Sequence, residues 1–147
     1  MAKPVVISLN VQANSLFNLE NPSQEQIDSL CSFSDDNNGN SPNGTVEDFT
    51  TTVYINNNVK WIGVSQNQGF KVAIDSINYK PNGNNVNCFD TPILQGSGGI
   101  SGNVNANVKN DSSLQNRYND YLIEFTVYES PHNFKSFSID PKLLINV

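Results

Sequence analysis

The chain has 147 residues and a mass of 16.2 kDa, with 14 acidic side chains against 8 basic ones and a formal charge of −6. That length suits one domain, spanning residues 1–147, that buries its own core. The charge balance argues against nucleic acid and anionic membranes as partners: Arg117 is the sole arginine, and no basic cluster exists to meet phosphates.

Asparagine dominates the composition, with 25 residues clustered between short alternating apolar runs. Three precede glycine, at Asn38-Gly39, Asn43-Gly44 and Asn82-Gly83. Both residues of such a pair tolerate positive φ, which makes the dipeptide a strong turn signal. Val5, Ile7, Leu9 and Val11 alternate with Val6, Ser8 and Asn10, the period of a half-buried strand. No apolar signal core precedes it and no run is long enough for a membrane helix, so neither a secretory leader nor a span is expected. One short helix is expected near residues 23–30, with Ser23 as cap, Gln26 at the capping-box position, and Ile27 and Leu30 three apart.

Residues 34–48 hold almost nothing apolar and read as a long exposed loop. Beyond them, Asp48 to Ile55 alternates Phe49, Thr51, Val53 and Ile55, and Val59 and Trp61 share a face of the next strand. In the run from Phe70 to Tyr79, the apolar face is Phe70, Val72 and Ile74, then changes parity to Ile77 and Tyr79. That switch predicts a bulge near Ser76 or burial on both faces. Lys80-Pro81-Asn82-Gly83 is a turn. Pro92 places the stretch Cys88–Leu94 at a sheet edge. After a glycine loop from Gly96, Val104, Ala106 and Val108 alternate inward. Tyr121, Ile123, Phe125 and Val127 form one face of a strong strand, paired through a turn at 129–133 with Phe134–Ile139. Leu143, Ile145 and Val147 form a final strand after Asp140-Pro141. Eight or nine short strands with regular turns predict an all-β fold: a single-domain antiparallel β-sandwich, jelly-roll-like, with one short helix.

Cys31 and Cys88 read as buried, reduced thiols, with a disulfide between them as the alternative; two Cys and one His disfavour structural zinc. The sequons at Asn43 and Asn110 are expected by chance in a chain this rich in asparagine. His132 sits in a turn without a nucleophile elbow around any serine, so no hydrolase triad is expected. Glu124 and Glu129 are not arguable as a glycosidase pair. The glycine loop lacks the Lys-Ser/Thr of a phosphate cradle.

Two ligand readings deserve weight. Asp35, Asp36 and Asn38 offer oxygens on a sharp glycine turn, as calcium requires, although position 45 is threonine where an EF-hand needs glutamate. Tyr54, Trp61, Tyr79, Tyr118 and Tyr121 are the aromatics able to stack on sugar rings, with core packing the favoured fate of Trp61. Asn37, Asn40 and Asn43 in the first loop, and Asn82, Asn84 and Asn85 in the second, are the candidate ligand or assembly residues, since an amide both donates and accepts.

Several segments together resemble the bacterial AidA/PixA inclusion-body protein family. They are the opening strand Val5–Val11, the Val59-Lys60-Trp61 strand followed by Phe70–Ile74, the late strand Tyr121–Val127, and Ser138-Ile139-Asp140-Pro141 leading into Lys142–Ile145. The resemblance covers about two-thirds of the chain by pattern, and loops 34–48 and 83–102 have no counterpart. It implies a cytoplasmic protein without enzymatic activity or cofactor, and it offers no catalytic residues to carry over. With the low charge density and abundant amides, it sets the expectation of a non-enzymatic structural protein that self-associates as a homo-oligomer or inclusion. The alternative is a carbohydrate-binding or calcium-dependent, lectin-like module.

Overall fold

The computed structural model describes residues 2–147. In chain order the elements are β1 (Val5–Val11), α1 (Ala13–Phe17), α2 (Gln24–Ser29), β2 (Cys31–Asp35), β3 (Thr50–Tyr54), β4 (Asn58–Ser65), β5 (Lys71–Tyr79), β6 (Ile93–Gln95), β7 (Val104–Asn107), a 3-10 turn (Ser112–Leu114), β8 (Tyr118–Ser130), β9 (Asn133–Ile139) and β10 (Lys142–Asn146). One sheet has the order β2-β1-β4-β7. The other runs β3-β10-β8-β5-β6, with β9 also paired to β8. The all-β expectation holds, with two sheets enclosing one core and the short helix where Ser23 predicts it.

Alternation explains the strands. Val5, Ile7, Leu9 and Val11 are buried to within 1% of exposure, while Val6, Ser8 and Asn10 are half-buried on the opposite face of the same sheet. Each buried Val, Leu or Ile of this kind contributes about 1.5–3 kcal/mol. The spine of the larger sheet is β8. One side pairs with β5 from Tyr121 to Tyr128; the other pairs with β10 at Tyr118–Asp120 and with β9 from Ile123 to Ser130. The register of β5 on β8 shifts between Ile74 and Ser76. The extra residue, Asp75, returns Ile77 to the interior beside Ile74, as the change of parity in the sequence requires. Loop 96–102 clamps this bulge: Gly96 donates to Asp75 O at 2.8 Å and Ile74 donates to Gly102 O at 2.9 Å. A Cβ on Gly96 would lie 2.6 Å from Ile74 O, so only glycine allows the approach.

α2 carries the full capping box. Ser23 Oγ accepts from Gln26 N–H at 3.2 Å, and the Gln26 side chain accepts from Ser23 N–H at 2.8 Å.

Two corrections follow. The antiparallel expectation fails at two pairs, because β1 runs parallel to β4 and β3 parallel to β10. Period-two alternation sets which face a side chain occupies and is silent about which strand lies alongside. Secondly, the exposed-loop reading of residues 34–48 is too broad. Asp35 ends β2, and Asn40 forms a two-bond bridge with Thr50 on the outer side of β3. α1 and β2 have no counterpart in the expected elements.

Candidate functional site

Asp35 organises the first asparagine loop. Its Oδ1 accepts from the N–H groups of Asn37 (2.7 Å) and Gly39 (2.9 Å), and its Oδ2 accepts from Thr51 Oγ1 (2.6 Å). Asn38, between the two donors, has φ +57°, a left-handed conformation that asparagine tolerates. Gly39 passes so close that a Cβ there would sit 2.0 Å from Asp35 Oδ2 and 2.8 Å from Phe49 Cζ. Asn37 turns inward, donating through Nδ2 to Thr52 O (2.8 Å) and Tyr54 Oη (3.1 Å). Together with the Asn40 bridge, these bonds cover the outer edge of β3, which would otherwise present unpaired backbone groups.

The other calcium candidates do not converge on Asp35. Asp36 Oδ1 accepts from Val6 N–H at 3.0 Å, across the β1–β2 ladder. Among the described residues, no group of three or more His, Cys, Asp or Glu side chains is placed to hold a metal ion.

The second loop is centred on Asp120, whose Oδ2 accepts from Asn82 Nδ2 (3.3 Å) and Asn85 Nδ2 (3.0 Å). Asn85 O accepts from Tyr79 Oη at 2.9 Å, and Asn84 O accepts from Arg117 at 2.8 Å. Asn37, Asn82 and Asn85 therefore spend their side chains within the protein. The side chains of Asn38, Asn40, Asn43 and Asn84 are exposed and have no hydrogen-bond partner among the described residues. Asn40, Asn43 and Asn84 form the outward-facing part of the expected ligand or assembly set, and Asn38, expected as a calcium candidate, faces outward beside them.

Of the five aromatics able to stack on a sugar, Trp61 and Tyr121 are core residues at 1% exposure, Tyr54 is buried and Tyr79 half-buried. Tyr118 alone is open, at 47%. His132 is exposed in the β8–β9 turn. An open cleft of about 900 Å³ beside β4 and the β4–β5 turn is lined by only two titratable groups, Lys71 and Glu129.

Both cysteines are free and buried. Burial pushes each thiol up to about 12; near Cys31 the Asp28 charge adds to the effect, whereas at Cys88 a backbone hydrogen bond and the Lys109 charge oppose it. Thiols held this far above neutrality are protonated and poor nucleophiles.

The flank between β2, α2 and residues 41–49 is a feature the sequence did not announce. Phe33 of β2 stacks on Phe49 with ring centroids 5.3 Å apart and planes inclined by 21°. Beside the pair lies an open groove of about 740 Å³.

No family model and no curated protein matches the chain. Among solved structures, the fold is similar to the crystal structure of an inclusion body protein (PixA) from Burkholderia cenocepacia J2315. That protein is 13% identical, with a TM-score of 0.67, and the match covers 98% of this chain and 95% of the other. The resemblance expected from the sequence therefore holds at the level of the fold, over nearly the full length of both chains.

Proposed function

We propose that this protein is a non-enzymatic structural protein that self-associates into a defined oligomer or an inclusion. The observation that carries this reading is the near full-length fold likeness to an inclusion body protein. The surface chemistry supports it. Charged residues make up 15% of the chain, and exposed amides such as Asn38, Asn43 and Asn84 stand ready to donate and accept across a contact. Weak charge repulsion lowers the barrier to ordered packing of copies. Among the described residues, no helix is long and apolar enough to cross a membrane.

Light scattering coupled to size exclusion, on untagged protein over at least a tenfold concentration range, tests the proposal. A defined oligomer, or mass that grows with concentration, is expected. A monomer at every concentration would overturn it.

A further inference from the structure

We infer that the flank of β2 is a docking site for an extended, positively charged peptide segment of another protein, which adds to β2 as a further strand. This goes beyond self-association and does not depend on it.

Three observations carry the inference. The first is an open strand edge. In the β1–β2 ladder, Asp36 N–H bonds to Val6 O and Gln12 N–H to Leu30 O, so the hydrogen-bonded positions on β2 are the even-numbered residues. Ser32 and Ser34 thus face β1, while the N–H and C=O groups of Cys31 and Phe33 point away from it. No strand pairs on that side, and none of these four groups has a hydrogen-bond partner among the described residues. The edge of β3 is covered by Asn37 and Asn40; this edge is not.

The second is shape. The groove of about 740 Å³ alongside has Phe33, Val46 and Phe49 as its apolar lining, against which the side chains of an added strand can seat. Phe33 and Val46 are half-buried, partly open to an incoming group.

The third is charge. Glu25 and Asp28 from α2, and Glu47 from the facing loop, rim the groove, and no Lys, Arg or His lines it. A second copy adding its own β2 about a two-fold axis would bring the same carboxylates together, which repels. A foreign segment alternating apolar residues with Lys or Arg satisfies the edge, the lining and the rim at once.

The test uses 15N-labelled full-length protein and a panel of blocked peptides Lys-X-Lys-X-Lys-X, with X Val, Ile or Phe, against the same panel with Glu for Lys. Binding of a Lys peptide is expected to slow amide exchange at Cys31 and Phe33 by about tenfold or more, leaving Ser32 and Ser34, already bonded to β1, unchanged. The Glu peptides are expected to have no effect. Combining Glu25→Gln, Asp28→Asn and Glu47→Gln is expected to weaken binding about tenfold, because each partly exposed ion pair contributes modestly. An unchanged amide spectrum for this variant establishes that its fold is intact. No binding by any Lys peptide at millimolar concentration, shifts mapping away from β2, or affinity indifferent to the triple substitution would overturn the proposal. Protection of Cys31 and Phe33 that rises with protein concentration alone would overturn it too, by making a second copy the occupant.

Discussion

Trp61 of β4 donates its indole N–H to the hydroxyl of Tyr121 on β8 at 3.0 Å, a buried hydrogen bond that ties one sheet to the other. The two rings also meet edge-on, 5.6 Å between centroids, and Phe89 packs on the other side of Trp61 at 5.7 Å. Burial pushes the Tyr121 phenol well above its ordinary range, so it remains a neutral partner. Tyr121→Phe leaves the Trp61 N–H buried and unpaired. The expected loss is about 1–3 kcal/mol. Adding Trp61→Phe should cost less than the sum of the two single losses, because the second substitution removes the stranded donor; a double-mutant cycle in urea measures this coupling.

Asp35 and Gly39 are parts of one device. Asp35→Ala removes the acceptor for two backbone N–H groups and Thr51, with an expected cost of about 2 kcal/mol or more. Gly39→Ala drives a methyl group into Asp35 and Phe49 and should cost about 1–3 kcal/mol. Because the Asp35 carboxylate is engaged inward, both losses are expected to be the same with and without millimolar calcium. Thermal unfolding of each variant under the two conditions is the check, and a calcium-dependent wild-type Tm would contradict this account.

Asp75 gives a pH dependence of definite sign. Burial chiefly, with the Glu124 charge, raises its carboxyl above the ordinary range, against the hydrogen bond it accepts from Thr126 Oγ1 at 2.5 Å. The folded chain therefore keeps this proton at a pH where the unfolded chain has lost it. Its contribution to stability is full below the ordinary carboxylate range and declines as pH rises through the raised value. Asp75→Asn keeps an acceptor for Thr126 without the charge. It is expected to raise Tm relative to the wild type at pH 7, with the difference shrinking in acid; a Tm series across pH reads this directly.

Cys31 and Cys88 should both resist a thiol reagent such as DTNB in the native protein and both react after unfolding. Reaction of either at a rate near that of free cysteine would show an opening of the flank or the core.

The assembly reading makes its own prediction. Asn38→Asp, Asn43→Asp and Asn84→Asp together add three negative charges at exposed positions without disturbing a hydrogen bond seen in the fold. Self-association should weaken at low salt and recover as salt screens the added charge, read by sedimentation velocity.

Much of the fold was legible because side-chain period reports burial directly. The Asp75 bulge follows from the change of parity between Ile74 and Ile77, the helix from Ser23 and Gln26, and the edge position of β6 from Pro92. β2 was missed although Cys31 and Phe33 alternate with serines, since the two apolar residues lead straight into Asp and Asn. The site was less legible. Loop composition marks Asn37 and Asn38 alike, yet one side chain turns in to Thr52 and Tyr54 and the other faces outward. Adjacent carboxylates in a loop read as one group of oxygens, whereas Asp35 and Asp36 accept from different backbone segments. The direction of a side chain depends on contacts far away in the sequence, such as Thr51 for Asp35, which local pattern does not contain.

The parallel placement of β10 against β3 has a consequence for the order of assembly. β10 lies between β3 and β8, so Thr50–Tyr54 emerges from the ribosome with no sheet neighbour and must wait for Lys142–Asn146 to be made. Until then β3 is detached from the rest of the larger sheet, and Val53 has no strand beside it. Vectorial synthesis therefore cannot complete this sheet piece by piece. The chain closes late, in one step that joins distant segments, and its period of greatest vulnerability to misassociation falls between the appearance of β3 and the arrival of β10.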